Sequence, residues 1–367
     1  MQRWMMSGLM AALFGFLLLL VSVRQAVLLL VGVGMGAALA GTRFGFTTGW
    51  RQLIERRDPR GVSGQLLLLA LASLAALPLL AQFAELKAAL GPPSVSLLLG
   101  AFVFGMSMQI ADGCGSGTLY KAGMGVALNM AILPLFALGS FLGSVHIDHW
   151  LALGYMAPVS LSAELGGTGA LLVTLALLGG LALLVRVWVG PGKTWWSRRW
   201  VGGAVALAVL ATFNLLLAGQ PWGVVYGFGL WAAKVAVAAN VFDPMGNAFW
   251  QQAGNARMLS QTVFLDVTSI TNIGILGGAL WVSSKAMRVG VESPMASRSA
   301  KTLTGTQWAV GLLAGFVMGY SSRLAFGCNI GAMLSGISTG SLHGWLWVPA
   351  AFGGSLIGVR LRRHFQF

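Results

Sequence analysis

Charge is what this chain has least of. Asp, Glu, Lys and Arg make up 9% of its 367 residues, against roughly 25% in a soluble domain. With 57% hydrophobic residues and a mean hydropathy of +0.80, that scarcity excludes an ordinary soluble fold. Cysteine is nearly absent as well. The two present, Cys114 and Cys328, allow at most one disulfide and fit poorly with a stapled secreted scaffold. There is no C-x-x-C pair. Neither cysteine has His or Met placed beside it in sequence, so the pair is a thin ligand set for a soft metal, and no cofactor is expected. A nucleotide-binding motif is missing, which argues against direct use of ATP. No nucleic-acid motif occurs either. The apolar runs do not alternate, as Leu66–Ala72 shows, and this excludes a transmembrane β-barrel.

What the chain does have is a series of apolar runs near the roughly 20 residues of a bilayer span. They predict an all-α, polytopic membrane protein of nine to eleven crossings, organised as a single transporter domain. The runs are Leu9–Val23, Ala26–Ala40, Gln65–Gln82, Ser94–Ile110, Met124–Leu142, Thr168–Val187, Val201–Leu217, Pro221–Ala239, Thr262–Ser283, Trp308–Met318 and Leu346–Val359. Leu151–Gly167 reads as a loop or interfacial stretch, and Asp243–Arg257 as a loop or short surface helix. Met1–Leu20 resembles a signal peptide but shows no small-residue cleavage site, so it reads as a retained first helix. The net charge of +14 lies mostly in short connections: Arg51–Arg60, Gly190–Arg199, Lys285–Lys301 and Arg360–Arg363. The positive-inside rule places these, and the C-terminus, in the cytoplasm.

Two apolar segments are broken by small and polar residues around a lone cysteine. One is Gly105–Lys121, centred on Cys114; the other is Gly319–Trp345, centred on Cys328. At the same offset of 214 residues, Gly105 pairs with Gly319, Gly113 with Gly327, Gly117 with Gly331 and Gly139 with Gly353. Pro134 pairs with Pro349, and Gly143 with Gly358, when one residue of slack is allowed. Two related halves, about 26–145 and 222–359, follow. Such repeats in transporters place the substrate site where the halves meet. Whether the halves are inverted or parallel is left open.

Non-helical backbone at membrane depth is tolerated only inside protein or facing water, so both breaks are expected to line a cavity. In Gly113, Cys114, Gly115, Ser116, Gly117 and Thr118, and again in Gly327, Cys328, Asn329 and Gly331, glycine permits close approach of a ligand. A helix restarting after each cysteine would aim free amides at an anion. Neutral thiols add weak donors and soft, polarizable sulphur, which suits a sulphur-containing anion better than phosphate. Arg323 and Lys234 are the basic residues expected beside that path, Lys234 competing with a snorkelling role. Asp112 would oppose an anion, so it is expected to turn away or to bond into the loop. Asp266 is expected in an internal salt bridge, and His343 in a structural role.

At these residues a resemblance emerges. Arg323-Leu-Ala-Phe-Gly-Cys-Asn-Ile-Gly331 with Gly340–Trp347, and Asp112-Gly-Cys-Gly-Ser-Gly-Thr-Leu-Tyr-Lys-Ala-Gly123, resemble the YeeE/YedE family of bacterial inner-membrane sulphur-compound transporters. Gly227–Lys234 resembles a further segment of it. The resemblance implies a transporter, not an enzyme, with loops converging at its centre. It implies uptake of thiosulfate or a related sulphur or selenium species, contact of Cys114 and Cys328 with the passing anion, and a cytoplasmic TusA-like sulphur-carrier partner. Many members also carry a cysteine in an early R-F-C-F motif. Here that motif is Arg43-Phe-Gly-Phe46, with Gly45 in the cysteine position. Rival readings are a transporter of selenium compounds or other sulphur species, a membrane sulphurtransferase forming a persulfide on Cys328, and a channel-like structural subunit.

Overall fold

A computed structural model describes residues 2–288 and 303–367. Among these residues the fold is all-α, with β-pairing limited to isolated bridges. Nine helical stretches of the described chain are long and apolar enough to cross a membrane, so the chain is a multi-pass membrane protein. The long helices are α1 (Gln2–Phe16), α2 (Val23–Thr42), α3 (Phe46–Arg56), α4 (Arg60–Gln82), α5 (Val95–Ile110), α6 (Gly115–Gly123), α7 (Ala127–Val145), α8 (Leu161–Val189), α9 (Arg198–Ala218) and α10 (Val225–Ala238). Then come α11 (Val267–Arg288), α12 (Gly305–Leu324), a short helix over 329–338 that opens as a π-turn, and α13 (Leu342–His364). Local chemistry sets several starts: the hydroxyls of Ser22, Ser94 and Ser160 each accept the amide three residues on, as N-caps do. Thr304 and Gln307 form a reciprocal capping box.

Several expectations shift. Pro221–Ala239 forms a helix, α10, of only 14 residues, about 21 Å long, shorter than the nine long apolar stretches. Arg51 and Arg56 belong to α3 rather than to a loop. Helix α8 begins at Leu161, inside the stretch expected to be irregular, and breaks at Gly166, where φ is 71°. Among the described residues Asp266 makes no ion pair within 4 Å; it caps α11, its carboxylate accepting from the Ser269 amide at 2.7 Å and hydroxyl at 2.6 Å. Most of the basic stretch Lys285–Lys301 lies outside the described residues.

Glycine seams hold helices together, one of them between α2 and α11, where Gly36 lies on the Ile275 carbonyl and Gly278 on Val33; two others join the helices beside the cysteine breaks. Along α5 and α13, a Cβ on Gly105 would strike the Ala351 carbonyl, one on Gly354 the Phe102 carbonyl, and one on Gly358 the Met106 carbonyl. Ser355 Oγ donates to the Gly105 carbonyl at 3.0 Å. Along α7 and α12 the pattern recurs: Gly319 lies on the Phe136 carbonyl, Gly139 on Phe316 and Gly143 on Tyr320. Small residues let backbones close to this range, where dispersion contacts replace a hydrophobic drive that lipid cannot supply. The expected match of Gly139 with Gly353 moves by one residue. Gly354 is the one against backbone, with the same slack that relates Pro134 to Pro349.

These contacts fix directions. Residues 102, 106 and 109 meet 354, 358 and 362 in order, so α5 and α13 are parallel. By the same logic, Gly311 on Leu128, Gly315 on Ile132 and Gly319 on Phe136 make α7 and α12 parallel. The first turn of α5 lies on the last turn of α12, where Ser96 Oγ donates to the Leu324 carbonyl at 3.0 Å. Helices α5 and α12 therefore run in opposite directions.

Candidate functional site

Each cysteine follows a helix that ends in a left-handed residue, and each begins a short helix. Asp112 has φ 55° and Phe326 has φ 57°. Cys114 then takes φ −82°, ψ −171°, and Cys328 takes φ −92°, ψ −167°. The backbone bonds repeat at the same 214-residue offset. Ala111 donates to the Ser107 carbonyl as Ala325 does to Ser321; Gly113 to Met108 as Gly327 to Ser322; and Thr118 to Cys114 as Ala332 to Cys328. Glycine is required at 113 and 327, because a Cβ there would strike the amides of Thr118 and Ala332.

With the carbonyls of Cys114 and Cys328 already bonded to the fourth amide on, the first amides of each short helix are free of helical partners. The Ser116 hydroxyl lies 3.5 Å from the Cys114 sulphur. The Ile330 amide donates to Cys328 Sγ at 3.4 Å. Cys328 Sγ lies 3.2 Å from where a Gly115 Cβ would sit. The two breaks meet, and the helix starts point at one small volume. Both thiols are free and buried, at 1% and 0% exposure, so protein covers them where an open cavity was expected.

Of the residues expected at the site, Gly113, Cys114, Gly115, Ser116, Gly117, Thr118, Gly327, Cys328, Asn329 and Gly331 gather here. Two do not. Lys234 donates to the carbonyls of Leu259, at 2.7 Å, and Gln261, satisfying the end of the short helix Ala253–Ser260. The Arg323 guanidinium lies over the Phe249 ring at 4.8 Å and the Tyr226 ring at 5.8 Å. The buried His343 has its Nδ1 2.6 Å from Ser341 Oγ.

Other features were not foreseen. Asn329 is fully buried, and neither its side-chain oxygen nor its nitrogen has a partner; the Thr118 hydroxyl is buried and unpartnered too. Such a group costs about 1–3 kcal/mol, a cost that a bound polar ligand would relieve. Asp112 neither faces the thiols nor bonds only into its loop. Its carboxylate meets Arg51 at 2.7 Å, Lys121 at 2.7 Å and Arg362 at 3.5 Å. Gly45 caps α3, and a Cβ there would lie 3.6 Å from the Tyr120 hydroxyl.

A family model described as sulphur transport matches residues 41–357. The chain is 26% identical to the thiosulfate transporter TsuA of Spirochaeta thermophila, over 87% of this chain and 93% of that protein. It is 22% identical to the thiosulfate transporter TsuA of Escherichia coli, over 87% and 89%. It is also 25% identical to the probable transporter YedE of Salmonella typhimurium, over 47% of this chain and 40% of that longer relative. A match across nearly all of the helical core, including both cysteine breaks, makes the chain a member of the sulphur transport family.

Proposed function

We propose that this protein carries a small sulphur-containing anion, thiosulfate first, into the cytoplasm across the bacterial inner membrane. The observation that carries the reading is the meeting of two helix starts at Cys114 and Cys328, where Cys328 Sγ lies 3.2 Å from a Cβ position on Gly115, the first residue of the helix after Cys114. Amides, soft thiols and the unpartnered Asn329 amide would replace water around the anion. Hydrogen bonds to a charged group contribute about 1.5–3 kcal/mol each, so a few offset dehydration without a covalent step. Residues 26–145 and 222–359 act as two related halves, and the opposed directions of α5 and α12 favour an inverted repeat.

Charge supports a sidedness. Arg51, Arg56, Arg57, Arg60, Arg198, Arg199 and Arg360–Arg363 share the end where α3 and α13 meet through the 3.0 Å Arg363–Glu55 pair. This is the cytoplasmic face, with the C-terminus on it. A TusA-like sulphur carrier would receive the product there. The substrate itself comes from the named relatives.

The test is uptake of radiolabelled thiosulfate by cells expressing wild type, Cys114→Ala or Cys328→Ala, competed by sulfate, sulfite and selenite. Each single variant is expected to lose at least about tenfold in rate, the loss of roughly 1.4 kcal/mol of stabilisation, at unchanged membrane abundance. Full transport by both would overturn the mechanism. Preferential competition by selenite would move the substrate to selenium compounds. A stable mass increase on Cys328 after exposure to substrate would replace passage by sulphur transfer.

A further inference from the structure

Among the described residues, no hydrogen bond or ion pair engages the guanidinium of Arg323, and its Nε is buried with no partner. Other cations within the helices are met. Arg24 donates to the Leu217 and Ala218 carbonyls, Lys234 to those of Leu259 and Gln261, and Arg51 and Lys121 meet Asp112. At Arg323 there are aromatic rings instead. Its Cζ lies 4.8 Å from the Phe249 ring centre and 5.8 Å from that of Tyr226. A ring attracts a cation through its quadrupole, but it takes up none of the five N–H donors of a guanidinium in a conventional hydrogen bond. Donors left unmade in this way are costly, and an acceptor that arrives from outside removes the cost. Arg323 is half-buried rather than sealed.

The neighbours of Arg323 are themselves tied down. Gly143 on α7 makes room for its stem: a Cβ there would lie 2.9 Å from Arg323 Cβ and 3.3 Å from Cγ. Phe249 belongs to the short helix Ala248–Gln251, and its carbonyl accepts from Asn255 Nδ2 at 2.8 Å. Asn255 Oδ1 in turn accepts from the Tyr226 hydroxyl at 3.0 Å, so both rings share one anchor. Asn247 Nδ2 donates to the Val145 carbonyl at 2.9 Å, and Trp250 Nε1 to Ser144 Oγ at 3.1 Å. These bonds fasten the short helix to the end of α7. The depth follows from α12. Gln307, near its start, donates to the Phe365 carbonyl at 3.1 Å, on the face that holds the C-terminus. Arg323 lies about 24 Å further along that helix, toward the opposite face, and α12 leads from it into the Cys328 break.

We propose that Arg323, framed by Phe249 and Tyr226, is an outer binding site for a small oxyanion, separate from the thiols and reached before them. Charge-assisted hydrogen bonds from a guanidinium fork suit paired anionic oxygens. The rings hold the fork while leaving its donors free. The contacts at Arg323 include no thiol, so the site reads charge and oxygen geometry rather than sulphur. Selection for sulphur falls to Cys114 and Cys328 further in. Its place ahead of the thiols rests on the function proposed above; binding at the site does not.

The experiment measures thermal unfolding of the purified full-length protein in detergent, titrated with sodium thiosulfate or sodium sulfate against sodium chloride of equal ionic strength. The background is Cys114→Ala/Cys328→Ala, so failure of the thiol mechanism cannot mimic failure here. Both oxyanions are expected to raise the melting temperature beyond chloride, with half-saturating concentrations within about threefold of each other. Adding Arg323→Gln should move half-saturation upward at least about tenfold. A response no larger than that to chloride, a response to thiosulfate alone, or a gain that survives Arg323→Gln overturns the proposal. A guanidinium that serves packing alone would lower the melting temperature of Arg323→Gln equally at every anion concentration, and that result overturns it too. If Arg323→Gln does not fold, Phe249→Ala is titrated instead, because it removes the nearer ring. It should weaken anion-dependent stabilisation at least about threefold, and an unchanged titration overturns the proposal equally.

Discussion

At one break the left-handed residue is Asp112, gripped by three cations; at the other it is Phe326, with the same φ within two degrees. Five residues past the cap-side glycine, Thr118 stands where the second break has Ala332, and Gly115 stands where it has Asn329. One short helix opens as an α-helix and the other as a π-turn. Yet three backbone bonds of each break correspond, those donated by Ala111, Gly113 and Thr118 and by Ala325, Gly327 and Ala332. Backbone geometry is fixed by hydrogen bonds and by glycines that no other residue can replace. Side chains that leave those bonds alone are free to differ. The two breaks can therefore carry different chemistry on one scaffold, cationic beside Asp112 and aromatic beside the other, where Arg323 lies on Phe249 and Tyr226.

The sharpest way to break this equivalence is at the seams. Gly105→Leu and Gly319→Leu each drive a side chain into backbone carbonyl. Overpacking of this kind costs about 1–3 kcal/mol where neighbours can yield and more where they are backbone. Both variants should lose monodisperse protein by fluorescence-detected size exclusion. A tolerated Gly319→Leu beside a lost Gly105→Leu would show unequal seams.

Asn329→Ala probes the asymmetry of the short helices. Its amide has no partner, so removal should leave the melting temperature unchanged or raised. Thiosulfate uptake should fall about tenfold, one charge-assisted bond's worth. A fall in stability instead would make Asn329 a structural residue.

A smaller effect is expected from Thr118→Val, which keeps shape and deletes the unpartnered hydroxyl. A loss of about threefold in uptake, with no change in melting temperature, would place that hydroxyl on the anion's route. Unchanged uptake would leave the second break, with Ala332 in the same place, chemically equal to the first.

Smallest is Gly45→Cys. Its Cβ would lie 3.2 Å from Thr48 Oγ1 and 3.6 Å from the Tyr120 hydroxyl, a tight fit against side chains that can give. Stability should change by about 1 kcal/mol or less. A larger loss by thermal melt would show that Tyr120 has closed that position to a thiol.

Much of this organisation was legible in the residues. A rare cysteine flanked by glycines at equal spacing located both breaks, because Gly105 and Gly113, like Gly319 and Gly327, answer to backbone collisions that admit no substitute. The one-residue slip from Gly353 to Gly354 was hidden, since adjacent glycines look alike until a helix face chooses between them. The Asp112 cluster was hidden for another reason: Arg51 and Arg362 come from 61 and 250 residues away, and no local pattern announces them. Lys234 and Arg323 misled through proximity in sequence. A lysine flanked by apolar residues reads as a pathway charge, and only the fold reveals the carbonyls of Leu259 and Gln261 waiting for it.

The seam between α5 and α13 also has a consequence in time. During synthesis, helix 95–110 enters the bilayer long before helix 342–364 exists, yet its closest backbone neighbour is that last helix. Contacts so distant in sequence form late. The early helix must therefore wait, its glycine face open to lipid or to an insertion chaperone, until the final span arrives. Truncation before residue 342 should leave a chain that inserts but cannot lock, and membrane proteases would find it there.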